Sequence, residues 1–524
     1  MTETAVVYNV PRGTAYLTSQ QVIISAVSFV YYVILFRILS LSQIGQVSLL
    51  AIAVAIFGTL TQMALPAAAT RFISRSLGSR DTASAGAVAS TVLRLVLVVA
   101  TPTLLLASIL SPWIGALLFN TSDTNGLFVT AFATSFVLDL TALYGSYFLG
   151  LGLYAQAVYQ NLLYIPLSRT LALILAYLGL GVLGVVMGWL LGAVATLLLS
   201  SHLFKGRLPS GGAFPKRQLL SFSLPVFASA IIVLFQSWGD IALLQTLVGQ
   251  LQVTGAYYLT VSSVAFLSIL WGPVSSALYP ALSAGFSSQG PRAVSERLAV
   301  AFRLVNITVL PLGVALAAVA PTALEIVYGP SLASQALPFA ILATTVVLTA
   351  QGAILVAALQ AVGMTKPLLK VYLVATILDL GAVALLAKTL GTTAGAIGRV
   401  ILGLSVFLLA YRSLRPALGV PVGHGFFKAV LLAIGTSIPL LVTDQMLTQQ
   451  LMLRPLLRLP IILIVFVASF LIISRNLSIF EETDFALLKS ALPTIAHGYV
   501  EFIQRLLVRK EGLSPNRQSH ISGL

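Results

Sequence analysis

Apolar stretches of about 20 residues, each closed by a short polar or glycine-bearing break, follow one another along almost the whole chain, and that length carries a helix across a bilayer. Read by length and by those breaks, they predict fourteen spans, near residues 17–39, 44–66, 85–110, 127–149, 158–178, 180–203, 219–245, 257–284, 298–320, 335–359, 371–388, 394–411, 426–446 and 457–474. The apolarity within each stretch is continuous rather than alternating, which excludes a transmembrane β-barrel. The predicted fold is an all-α polytopic membrane protein. The pairs 158–203 and 371–411 are the hardest to divide, because few polar residues interrupt them.

Composition agrees with lipid as the solvent, since 58% of the 524 residues are hydrophobic and 8% are charged. A net charge of +15 would suit nucleic acid if it were clustered, so its distribution decides. An even number of spans puts both termini on one side. That side then holds fourteen basic loop residues, among them Arg12, Arg71, Arg75, Arg80, Lys205, Arg207, Lys216 and Arg217, with six more from Arg475 onward. The other side has Lys388, Arg454 and Arg458. The excess therefore reports topology: both termini are expected in the cytoplasm of a multi-pass plasma-membrane protein, with no nucleic-acid partner. No cleavable signal peptide is expected, since Pro11 and Arg12 run straight into a full-length helix. Cysteine is absent, so thiol chemistry is unavailable.

Three echoes divide the chain in two. "LSQIGQVSLLAIAV" resembles "LQVTGAYYLTVSSV", matching Gly45 to Gly255 at an offset of 210, each expected in a short outer loop. "GVLGVVMGWLLG" matches "TTAGAIGRVILG" at an offset of 211, and "LGLGLYAQA" near 151 matches "LQAVGMTKP" near 361. Two six-helix lobes follow, 17–203 and 219–411, after a cytoplasmic segment 1–16, joined by a basic linker 204–218 and followed by a helix pair within 426–474 and a tail 475–524. Six is even, so the lobes share an orientation, and their pseudo-twofold axis should run along the membrane normal with a cavity between them.

A charge in the bilayer centre costs roughly 2.5–3.5 kcal/mol even on insertion scales, so each intramembrane charge should face a cavity or a partner. Arg94, Asp139, Arg169 and Asp379 fall near mid-membrane, Arg303 nearer the cytoplasmic side, and Asp240 and Arg399 nearer the outer side. Guanidinium groups hold phosphate oxygens through paired hydrogen bonds, which makes Arg94 and Arg169, then Arg303 and Arg399, the candidate substrate-binding residues. Arg37, in "RILSLSQIGQVSLL", either anchors the first span at the interface or meets an anionic substrate at the outer mouth. Ser40 and Ser42 should satisfy the following turn and Gly45 should permit it. Asp139, Asp240 and Asp379 either form ion pairs within a lobe or take part in gating and coupling. The offset of 211 places Ser168 opposite Asp379, so Arg169 and Asp379 either pair across the cavity or each meet a partner in their own lobe. Pro66, Pro102, Pro166, Pro225, Pro273, Pro280, Pro311 and Pro439 should bend the spans they enter.

Taken together, "RILSLSQIGQVSL", "ALPAAATRFISR", "LLSFSLPVFASAIIVLFQSWGDIALL", "VTGAYYLTVSSV" and "SSALYPALSAGFS" resemble the polysaccharide transporter or oligosaccharide flippase family of the multidrug/oligosaccharidyl-lipid/polysaccharide exporter superfamily, over about residues 12–475. The resemblance implies two six-helix lobes, a further pair, alternating access, and passage of a lipid-linked oligosaccharide across the membrane. It also implies an asparagine in the eleventh span where this chain has Asp379. A cation-coupled multidrug antiporter of the same superfamily is the alternative, and four membrane arginines against three aspartates favour an anionic substrate.

A membrane glycosyltransferase or polymerase is disfavoured, because no large outer loop and no GxxxxGK, HExxH or GxSxG motif occurs. No catalytic residue, metal or cofactor is expected beyond a coupling proton or sodium ion. The expected partners are the bilayer and the lipid-linked saccharide, with the protein a monomer. The tail should form two amphipathic helices separated at Pro493 before a disordered end, anchoring at the membrane surface or docking a glycosyltransferase.

Overall fold

The computed structural model describes residues 10–507 apart from 120–124, 210–211, 273–274, 276–277, 280–281, 284, 287–289, 420–424, 453, 481–484 and 486–496. Pro273, Pro280, Pro493 and the last residues of the tail, with the disordered end expected there, lie outside them. Among the described residues, thirteen helical stretches are long and apolar enough to cross a membrane. One of them, Tyr154–Phe204, is 51 residues long and is a hairpin folded at Gly179 (φ +96°) and Gly181 (φ +52°), which brings the crossings to the fourteen expected.

The helices are α1 (Val10–Ile38), α2 (Leu41–Gln62), α3 (Leu65–Gly78), α4 (Thr82–Phe119), α5 (Asn125–Gly150), α6 (Tyr154–Leu175), α7 (Gly181–Phe204), α8 (Lys216–Val248) and α9 (Leu251–Ala265). They continue with α10 (Pro291–Ala318), α11 (Ala320–Tyr328), α12 (Ala336–Ala361), α13 (Thr365–Leu390), α14 (Thr392–Leu418), α15 (Phe426–Gln445), α16 (Pro455–Asn476) and α17 (His497–Leu507). No strand occurs among the described residues. Val98, Leu105, Leu117, Leu385 and Ile464 are each more than half exposed, an apolar girdle that only lipid can cover.

The internal repeat is written in backbone geometry. At the turn between α5 and α6, Gly152 takes φ +74° and the Leu153 N–H reaches back to the Phe148 carbonyl at 2.8 Å. At the turn between α12 and α13, Gly363 takes φ +78° and the Met364 N–H reaches the Leu359 carbonyl at the same distance. Both are glycine-ended helix caps, for which a left-handed residue is needed. The next turns agree as well, since Gly181 (φ 52°, ψ −129°) and Gly391 (φ 52°, ψ −125°) share a conformation closed to L side chains.

α2 and α3 make one crossing broken at Met63 and Ala64, both left-handed (φ +46° and +54°). Pro66 falls in the first turn of α3, where its missing N–H costs nothing. The expectation of Gly45 as a loop residue is corrected by the cap of α2. The Ser40 side chain accepts from the Gln43 N–H (3.3 Å) and the Gln43 side chain accepts from the Ser40 N–H (2.9 Å), so the helix starts at Leu41 and Gly45 is helical. After the second lobe, α15 packs on α10 and α16 packs on α15, with Ala429 and Leu432 buried against Ile307.

Candidate functional site

The two lobes meet on the side opposite the termini, where α2 lies against α9. A Cβ on Gly45 would collide with the Leu251 carbonyl, and one on Gly255 with the Leu41 carbonyl and the Gly45 nitrogen. Each glycine therefore packs against the residue four places before the other, a reciprocal contact that a pseudo-twofold axis produces. Beside it the hydroxyls of Tyr32 and Tyr258 lie 2.6 Å apart, and Arg37 donates to the Val327 carbonyl at 3.2 Å. Arg37 thus ties the first crossing to the end of α11 on the side opposite the termini.

Arg169, on α6, sits behind that tyrosine pair. Its guanidinium lies 4.3 Å from the Tyr31 ring centroid and 5.5 Å from that of Tyr32, the face-on arrangement by which aromatic rings attract a cation. Its Nε is buried without a hydrogen-bond partner, and no carboxylate pairs with it among the described residues. The Tyr31 hydroxyl and the Trp189 indole N–H are likewise buried without a geometric partner.

The carboxylates lie elsewhere. In the second lobe Arg399, on α14, grips Asp240, on α8, through Nε–Oδ2 (2.7 Å) and Nη2–Oδ1 (3.0 Å), and it also donates to the Ser237 carbonyl (3.0 Å). The Tyr257 hydroxyl donates to Asp240 at 2.6 Å. Asp379, on α13, is fully buried with both oxygens unpartnered, and a Cβ on Gly398 would collide with its Oδ1. Arg399 also borders a cavity of about 790 Å³ inside the second lobe, with Gln236, Thr345, Tyr372 and Trp271 on its wall.

In the first lobe Asp139, on α5, accepts from the Thr61 hydroxyl and from Gln62 Nε2 (2.8 Å), the last residues of α2 before the break. It staples a helix end next to two left-handed residues, each of which costs about 1–3 kcal/mol to hold. Asp139→Ala should lower stability by about 2 kcal/mol, as the loss of charge-assisted bonds predicts. Thermal denaturation in detergent against Asp139→Asn, which keeps one acceptor, checks it; equal melting of Asp139→Ala and the parent chain would refute the staple.

Three expectations need correction. Arg94 does not reach the lobe interface: it is exposed on the stripe of α4 that carries Val98, Leu105 and Ile109, on the lipid side. Arg303 does not face the cavity either, because its Nη2 donates to the Ile479 carbonyl (3.0 Å) just past α16, at the end where Lys428 donates to the Ser478 carbonyl (3.2 Å). Arg169 and Asp379 do not pair, since the guanidinium faces tyrosines at the lobe contact and the carboxylate faces the α14 glycine of its own hairpin. The paired tyrosines 31–32 and 257–258 are the residues that sequence reading passed over. Their signal was two Tyr-Tyr doublets within apolar spans.

This arrangement is the fold of the transporters of the MOP superfamily. The lipid II flippase MurJ in an inward closed conformation superposes with a TM-score of 0.70 at 13% identity, over 88% of this chain and 98% of that one. An inward-facing multidrug resistance MATE family transporter gives 0.59 at 16%, over 76% and 94%, and a MOP superfamily transporter from Pyrococcus furiosus gives 0.55 at 18%, over 80% and 99%. At such identities the likeness is one of fold. Residues 10–286, just over half of the chain, match the family of polysaccharide biosynthesis proteins, and the chain belongs to that family. No curated protein matches it in sequence.

Proposed function

We propose that this protein carries a lipid-linked saccharide with a phosphate or pyrophosphate bridge across the cell membrane, by alternating access between its lobes, for assembly of a surface polysaccharide. Arg169 carries this reading: a guanidinium between the lobes, framed by tyrosines and free of any acid among the described residues, suits an anionic bridge flanked by sugar. Aromatic faces beside it would stack on the saccharide. Membership of a polysaccharide biosynthesis family supports the same substrate class. With both termini in the cytoplasm, as the basic loops favour, the contact of α2 with α9 closes the outer mouth.

A drug antiporter would need a carboxylate open to a cationic substrate. Asp139 and Asp240 are both occupied, by donors and by a guanidinium. Asp379, with neither oxygen hydrogen-bonded among the described residues, is the lobe carboxylate best placed to load a coupling proton or sodium ion.

Reconstituted vesicles holding a fluorescent polyprenyl-pyrophosphate saccharide test the reading, with transport scored by quenching from one side. Arg169→Gln should slow transport by about tenfold or more, the loss expected for a charge-assisted contact, and Arg169→Lys by less. Transport of the lipid by Arg169→Gln at the parent rate would overturn it.

A further inference from the structure

A second basic site lies on the side of the termini, away from the lobe contact. The end of α3, the start of α4 and the first turns of α8 enclose a pocket of about 640 Å³, and its chemistry is unlike that of the apolar cavity in the second lobe. Arg71 and Arg75 project into it from successive turns of α3, a like-charge spacing that costs a helix stability unless something answers it. Among the described residues no acid or hydrogen-bond acceptor answers either one. Arg71 instead stacks over Phe222 of α8, its guanidinium carbon 4.4 Å from the ring centroid, which fixes the plane of its donors.

The remaining wall combines polar side chains with the rings of Phe72 and Phe214. Ser76, Ser79 and Ser84 come from the first lobe, and Gln218 and Ser221 from α8. Asp81 also borders the space, but one of its oxygens accepts from the Ser84 N–H at 2.8 Å as the cap of α4. Two unpaired guanidiniums against one committed carboxylate leave the pocket cationic. Planar guanidiniums with hydroxyls around them match the tetrahedral oxygens of a phosphate better than a carboxylate or a neutral sugar.

We propose that this pocket is a phosphate-binding site at the cytoplasmic mouth, and that its ligand is the phosphate or pyrophosphate of the lipid-linked saccharide on its way to Arg169. The identity of the lipid rests on the function proposed above; the phosphate chemistry of the pocket does not. The site also has a route to lobe movement. α8 is buried against the first lobe at Leu219 and Ser223 and in the second lobe at Asp240, Ile241 and Leu244, so one helix belongs to both. An anion bridging Arg71 and Arg75 to Ser221 would pin the near end of that helix to α3.

The test uses the full chain in nanodiscs with two probes. Inorganic pyrophosphate is titrated in solution, and a polyprenyl phosphate is incorporated in the disc, each followed by the thermal shift of the protein. The double variant Arg71→Gln, Arg75→Gln should weaken one or both by about tenfold or more, and a response of the lipid probe alone assigns the lipid as the source. Arg71→Lys with Arg75→Lys should restore part of the affinity. Equal binding of both probes by the double variant and the parent chain, with the same melting point when no probe is present, would overturn the site. Failure of transport in the vesicle assay would leave the pyrophosphate titration standing, so the two proposals fail separately.

Discussion

Gly45→Leu or Gly255→Leu should stop transport, and each should leave the lobes unable to close where α2 meets α9. The reason is backbone against backbone. A side chain at either position enters the space of a main-chain carbonyl on the other lobe, Leu251 for Gly45 and Leu41 for Gly255. Side chains can change rotamer to relieve a clash, but a carbonyl in the first turn of a helix moves only with the helix. Relief therefore means separation of α2 from α9, which also removes the Tyr32–Tyr258 contact behind which Arg169 is held. Because neither glycine is at positive φ, the substitution does not strain its own helix, and expression should survive. The natural lack of cysteine allows spin labels at Leu178→Cys and Gln252→Cys, two exposed positions on that side, one in each lobe. The labelled parent should show a short distance population that the glycine variants lose. Gly45→Ala should act in the same direction with a smaller loss. A leucine variant with the parent distance and the parent transport rate would show that the contact has no part in closure.

The spans and the repeat were legible because membrane helices announce themselves by length and because their turns need glycine. The echo of "LGLGLYAQA" near 151 in "LQAVGMTKP" near 361 holds Gly152 and Gly363, which prove to share one left-handed cap. Gly45 and Gly255 were found for a different reason from the one that holds them. The repeat placed them in loops, whereas the capping of α2 by Ser40 and Gln43 puts Gly45 inside a helix, where lobe contact explains it.

The azimuth of charges was not legible. A helix apolar on all sides has no polar face to orient it, so sequence gives the depth of Arg94 or Arg169 and not the direction in which each points. One of the two lies on the lipid stripe of α4 and the other at the lobe contact. Equivalence under the repeat likewise fixed where Arg169 and Asp379 lie along their helices, while the rotation of each helix decided what they meet. Arg303 was misread because its acceptor, the Ile479 carbonyl, lies 176 positions further along the chain.

The largest loss of stability should come from Arg399. Asp240 is wholly buried and Arg399 is about one-fifth exposed, and their two hydrogen bonds run between α8 and α14. Removing one member of a buried pair strands the other, at a cost of about 3–5 kcal/mol. The two removals are not equivalent here. Asp240→Asn leaves Arg399 near Asp379, a carboxylate with no partner of its own, so the guanidinium can turn to it. Arg399→Gln leaves two buried carboxylates, Asp240 and Asp379, facing each other across the vacated guanidinium site, with only Tyr257 donating to the first. Arg399→Gln should therefore melt well below Asp240→Asn in detergent. Adding Asp379→Asn to Arg399→Gln should recover a substantial part of the difference, because it removes the repulsion without adding a contact. The same addition to the parent chain should change melting little, since Asp379 makes no hydrogen bond that asparagine would lose. Equal melting of Arg399→Gln with and without Asp379→Asn would mean that the two carboxylates do not sense each other, and that the Asp240–Arg399 pair is an isolated strut between α8 and α14.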